Sequence, residues 1–388
     1  MGEVLKYRDR TNTDCEKWDG MGEVFGERHL LPLWVADMDF ESPSCIKEAL
    51  QKYVQNGIYG YYRPPEQYMQ SFIDWEKERH SYEIKREWVR FVPGVVQSIY
   101  WMVQSVTVDG DHVLVMPPVY YPFFNAVEET GRKLSKCPLI CENGYFKMDF
   151  DTMERKIVED NVKLFILCSP HNPAGRVWKR EELARALYIC KKYSVFVIAD
   201  EIHQDLILGN APQTAVGTVA DGYEAMAIVT SATKTFNIAG CQNAFIIIED
   251  EKVRKKFDQT VARIHMTEGS SFGYIAVQAA YSQGREWLEL ILEKLRENYA
   301  CLKKLVEKKL PGAVLSPLEG TYLAWLDLSN YISGEHIRKV VQEKCGLAVD
   351  YGEWFGGAEY ASCIRINLAT KTELIEIAIE RLASELKK

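Results

Sequence analysis

Short apolar runs alternate along this chain with longer segments in which apolar residues return every three or four positions. The runs at 88–92, 112–116, 133–137, 162–168, 195–199, 225–229 and 241–248 predict strands. Intervening stretches at 121–130, 149–157 and 180–192 predict helices. The runs are apolar almost without interruption, so both faces of each strand must be covered. Such strands, separated by helices, predict a mostly parallel sheet between helical layers. Leu288, Ile291, Leu295, Tyr299, Leu302 and Val306 advance in threes and fours, which predicts one long amphipathic helix over 286–310. Strands at 322–326 and 362–367, with helices at 334–344 and 371–386, predict a second, smaller α/β unit. Residues 1–45 read as mostly irregular, and 44–57 as a helix capped by Ser42 or Ser44. The expected division is 1–45 as an N-terminal segment of the small domain, 46–288 as the large domain and 289–388 as the small domain.

The net charge of −8 and the absence of a basic tract argue against nucleic acid and anionic membrane as main partners. No apolar run approaches a membrane span, and Met1-Gly2-Glu3-Val4 lacks the basic and apolar regions of a signal peptide. The expectation is a soluble cytoplasmic protein. The ten cysteines contain no CxxC pair and sit mostly in apolar surroundings, which predicts reduced buried thiols rather than disulfides or a metal site.

The chemistry gathers where predicted strands end. Lys234 follows the run 225–229 within Ser231-Ala232-Thr233-Lys234-Thr235-Phe236-Asn237-Ile238-Ala239-Gly240. An amine at the end of a buried strand loses hydration, which lowers its pKa and makes it a nucleophile toward carbonyls. Ser231 and Thr233 can donate hydroxyl hydrogen bonds to a phosphate. The run 195–199 ends in Asp200-Glu201-Ile202-His203, and a carboxylate there points into the usual ligand crevice of an α/β sheet. Ser169-Pro170-His171-Asn172-Pro173-Ala174-Gly175 makes a turn after 162–168, with Asn172 able to donate to a ring oxygen. Gly94, Val95 and Val96 open a predicted helix whose free amides could cradle a phosphate. A lysine, a phosphate cup and a strand-end aspartate are what pyridoxal phosphate requires: the aspartate holds its ring nitrogen protonated.

In the order SPHNPAG, ADEIH, SATK, these segments resemble the fold-type I pyridoxal-phosphate enzymes, the aspartate aminotransferase superfamily. DMDF near the start, ADEIHQDL and SATKTFNIAG are similar to its MalY/PatB branch of cystathionine β-lyases, over nearly the whole chain. The resemblance implies a large domain with a seven-stranded, mostly parallel sheet, and β-elimination of cysteine S-conjugates to thiol, pyruvate and ammonia. It implies that Lys234 carries the cofactor, that Arg365 in the apolar run 362–367 holds the substrate α-carboxylate, and that Tyr120 stacks on the cofactor ring, with Tyr121 a competing candidate. His203 stands where many relatives carry a tyrosine for the ring oxygen. Ala36 and Asp37 are implied in the substrate pocket. Tyr61 is implied to reach the phosphate of the neighbouring subunit, so that the site is shared in a homodimer. One position departs from the pattern: many aminotransferases carry an arginine eight residues after the lysine, where this chain has Gln242. An aminotransferase on the same scaffold is the second reading, and a regulatory protein-binding role is a third.

Overall fold

The computed structural model describes residues 3–387. Seven strands form the large sheet, in the spatial order Val89–Val92, Ala244–Ile248, Met226–Thr230, Phe196–Asp200, Leu164–Cys168, His112–Val115 and Lys133–Lys136. Ala244–Ile248 alone is antiparallel to its neighbours. The link after Thr230 holds only a four-residue helix and a short 3-10 turn. It has no crossover helix to carry the chain back over the sheet, so the strand returns antiparallel. The four strands from Leu164 to Ile248 are buried at every residue, as continuous apolar runs require.

Four antiparallel strands build the smaller sheet, in the order Val314–Leu315, Leu323–Asp327, Cys363–Asn367 and Asp350–Tyr351. Helix Thr372–Leu386 packs on helix Arg285–Lys309 beside it. The N-terminal segment joins this part of the molecule: Leu31–Pro32 pairs in parallel with Leu347–Ala348. Asn367 Nδ2 donates to Val35 O at 2.6 Å and Asp37 O at 2.7 Å.

Some local expectations are corrected. Neither serine caps helix Ser44–Val54; Ser42 Oγ instead donates to Asn237 O at 3.0 Å. The helix expected over 334–344 is a 3-10 turn followed by a π-helix, Lys339–Lys344. Residues 350–351 form an edge strand. Helices Glu66–His80, Glu251–Arg263 and Ser271–Gln283 were not apparent from periodicity. The boundary expected between 288 and 289 falls inside the continuous helix Arg285–Lys309. Among the described residues, no disulfide joins the cysteines. Among the described residues, no helix is long and apolar enough to cross a membrane.

Candidate active site

The large sheet delivers its chemistry to one edge. Asp200 ends strand Phe196–Asp200, Asn172 follows Leu164–Cys168, Tyr120 follows His112–Val115, and Lys234 sits on the short helix after Met226–Thr230. These are the carboxyl ends of parallel strands, where an open α/β sheet leaves its crevice. One cavity there is lined by Ala36, Gly94, Val95, Val96, Tyr120, Asn172, Asp200, His203, Thr233 and Lys234, all of them singled out in the sequence. Pro93, Gln97, Cys168, Ile202 and Ala239 complete it without having been foreseen as site residues.

Lys234 Nζ donates to Ala36 O at 2.6 Å. Burial lowers the amine to about 8, against the opposing pull of Asp37. Asp200 Oδ1 accepts from Ile202 N at 3.0 Å, and burial pushes its carboxyl up to about 7. His203 is driven down to about 3 by burial, so its ring is neutral, and its Nδ1 is buried without a partner. Helix Val95–Val106 begins at Gly94 with no side-chain cap, leaving its first amides turned to the cavity rim.

Arg365 lies behind Asn172. Its Nη1 donates to Asn172 Oδ1 at 2.9 Å, and its Nη2 donates to Trp34 O at 3.2 Å and to Asp350 Oδ2 in a shorter ion pair. The two tyrosine candidates separate. Tyr120 lines the cavity, whereas Tyr121 packs edge-on against Trp354 and Phe355.

Other expected site residues stand elsewhere. Ser231 caps the short helix, accepting from Thr233 N at 3.0 Å and donating to Asn243 O at 2.6 Å, so backbone groups engage its hydroxyl. Asp37 turns to Arg10, whose Nη1 donates to it at 2.6 Å. Tyr61 is fully exposed and absent from the cavity of its own chain. Gln242 is exposed in a left-handed conformation.

Reasoning from sequence missed the pairing of Asp350 with Arg365, and missed Tyr322 and the carbonyl of Trp34. Tyr322 Oη donates to Ala36 O at 2.9 Å, the oxygen that Lys234 also uses. Asn237 was visible as a polar residue three places after Lys234. Its Oδ1 accepts from Met38 N at 3.0 Å, and its Nδ2 donates to Met38 O at 3.0 Å and Phe40 O at 2.9 Å. These bonds hold the DMDF segment against the lysine turn.

Residues 28–382 match the family described as aminotransferase class I and II. The chain belongs to this family. It is 35% identical to cystathionine beta-lyase PatB of Bacillus subtilis, covering 98% of this chain and 99% of that protein. It is 30% identical to protein MalY of Escherichia coli, covering 100% and 99%. Among solved structures, cystalysin from Treponema denticola, which contains a pyridoxal 5'-phosphate cofactor, superposes with a TM-score of 0.95 at 32% identity, covering 100% of this chain and 99% of that one. The pyridoxal-phosphate-bound C-S lyase from Staphylococcus hominis gives 0.93 at 31%, covering 99% and 97%. The seven-stranded α/β fold and the MalY/PatB likeness read from the sequence are therefore borne out.

Proposed function

We propose that this protein is a pyridoxal-phosphate-dependent carbon–sulfur β-lyase that splits cysteine S-conjugates, cystathionine among them, into thiol, pyruvate and ammonia. One observation carries the reading. A buried lysine with a lowered pKa shares a cavity with a buried aspartate and an uncapped helix N-terminus, in a chain that aligns end to end with C–S lyases.

The residues present fit the cofactor. The amides of Val95 and Val96, with Gly94 and the Thr233 hydroxyl, offer donors to its phosphate without a basic side chain. Asp200 lacks a bonded cation, and a protonated ring nitrogen is the partner that returns a buried carboxyl to its charged form. Asn172 and the unpartnered His203 Nδ1 suit the ring oxygen, and Tyr120 offers an aromatic face. When bound, pyridoxal phosphate supplies an electron sink for negative charge at the substrate Cα.

The chain's own groups do the rest. Lys234 would hold the cofactor aldehyde, and its amine, near 8 and so partly unprotonated at neutral pH, is the base placed to take the Cα proton. Arg365 binds the α-carboxylate and so orients the Cα–H bond toward Lys234. As that bond breaks, a Cα=Cβ bond forms and the Cβ–S pair leaves on sulfur. Water then converts the remaining fragment to pyruvate and ammonia.

The site is shared between two copies of the chain, with Tyr61 of one serving the phosphate of the other. Support comes from the apolar surface around it: Val54, Ile58, Tyr59 and Phe272 are all exposed large hydrophobics on this face. The edge-on contacts of Tyr53 with Tyr59 and Phe272 make the patch continuous, and patches of this kind mark protein interfaces.

Product identity tests the reading. Purified protein given cystathionine and no 2-oxoacid should yield homocysteine, pyruvate and ammonia. Turnover that requires a 2-oxoacid and yields a new amino acid would replace this reading with aminotransfer.

A further inference from the structure

In this structure Arg365 is not free to receive a substrate. The edge strand Asp350–Tyr351 places Asp350 opposite Arg365 in register. Their side chains form an ion pair in which each is only 3% exposed. Asn172 Oδ1 holds Nη1, Asp350 Oδ2 and Trp34 O hold Nη2, and Nε is buried without a partner. Phe355 covers the guanidinium, with 5.0 Å from Cζ to the ring centroid. A carboxylate that grips two parallel N–H groups therefore meets a guanidinium whose end is already occupied by another carboxylate.

Two buried carboxylates on one guanidinium leave a negative charge without compensation, which a low-dielectric interior penalises heavily. A proton on one of them removes the penalty. We propose that Asp350 is a proton-coupled latch: it stands in for the substrate carboxylate on Arg365 in the free enzyme, and takes up a proton when an anionic substrate arrives. The latch rests on the carboxylate-binding role proposed above for Arg365.

Two features support it. Burial already pushes Asp350 up to about 6 while Arg365 pulls the other way, so the proton is accessible near neutral pH. The other titratable groups that face it are the phenols of Tyr120 and Tyr121, both raised by burial and hence neutral. No second cation shares the load among the groups acting on Asp350. The latch also selects substrates, since an amine without a carboxylate has nothing to exchange for Asp350.

The sign follows from linkage. Below the free-state pKa, Asp350 is already neutral and binding takes up no proton. Above it, binding takes up one proton until the higher pKa of the bound state is passed. The test is titration calorimetry of the holoenzyme with 3-(methylthio)propionate, a carboxylate without an amino group, in buffers of different ionisation enthalpy. Proton uptake should be near zero at about pH 5 and approach one at about pH 7.5, with affinity falling toward tenfold per pH unit over that range. Asp350→Asn should bind with no such uptake and a flat affinity profile, and Arg365→Leu should not bind. Asparagine keeps the shape and an acceptor, and the wild-type pH profile decides the matter even if the variant does not fold. Equal uptake in wild type and Asp350→Asn, or none in wild type, would overturn the latch and leave the Arg365 assignment standing. Absence of binding, or binding that survives Arg365→Leu, would overturn both.

Discussion

Lys234 Nζ donates to the carbonyl oxygen of Ala36 at 2.6 Å, across 198 residues of sequence. Tyr322 Oη donates to the same oxygen from the small sheet. One carbonyl of the N-terminal segment thus links Lys234, at the edge of the large sheet, to the smaller sheet. The contact depends on Asn237, which fixes the segment's neighbouring residues.

Replacing Asn237 with Ala removes three hydrogen bonds and leaves Met38 N and Phe40 O without that partner, while Met38 O keeps Arg10 Nη1 at 3.2 Å. The expected loss of stability is about 2–4 kcal/mol, given about 1–3 kcal/mol for each buried group left unsatisfied. Urea unfolding should show a lower midpoint at unchanged slope. An unchanged midpoint would mean that the segment is held by other contacts.

The pH dependence of stability in the cofactor-free protein should run opposite to ordinary acid denaturation. Burial raises Asp200 to about 7, Glu76 to about 7 and Glu201 to about 8. A carboxyl raised by folding stabilises fully below its unfolded pKa, and that contribution is lost as pH climbs through the folded value. Buried His171 and His203, lowered to about 3, oppose this below about pH 6.5, so stability should fall most clearly between about pH 6.5 and 8, by up to about 1.4 kcal/mol per pH unit for each carboxyl while it lies between its two pKa values. Glu201→Gln should flatten the fall. Urea midpoints at several pH values for the two proteins check it; parallel curves would remove Glu201 as a source.

Arg365→Leu should lower kcat/KM by orders of magnitude for any amino acid substrate, since a buried charge-assisted contact is worth several kcal/mol. The absorbance of bound cofactor should persist. Loss of the cofactor together with activity would point instead to a structural role through Asn172.

A chain carrying Lys234→Ala and one carrying Tyr61→Phe should each be inactive or nearly so alone. Mixed and allowed to exchange, they should regain activity, because hybrid dimers contain one intact site. Hybrids shown to form without recovery would count against a shared site, though not against the cofactor on Lys234.

Asp149, which caps helix Phe150–Glu159 by accepting from Thr152 N, shows how far local signals reach. Cap, period and turn are set by residues near in sequence, so strands, most helices and the strand-end residues could be read directly. Lys234, Asp200 and Asn172 were legible because each follows an apolar run that ends at the same edge of a parallel sheet. Tyr120 and Tyr121 were not separable: adjacent residues in a turn differ only in which way the chain faces when it packs, and Trp354 and Phe355 decide that.

The sequence by itself determined the alternating α/β order, the placing of Lys234 and Asp200 at strand ends and the likeness to C–S lyases, because those are carried by local pattern and contiguous motif. Tertiary structure alone decided the antiparallel strand Ala244–Ile248, the turning of Asp37 toward Arg10, and the pairing of Asp350 with Arg365. The last arises because two short strands pair in one register, and a shift of a single residue would send Asp350 to the other face of the sheet.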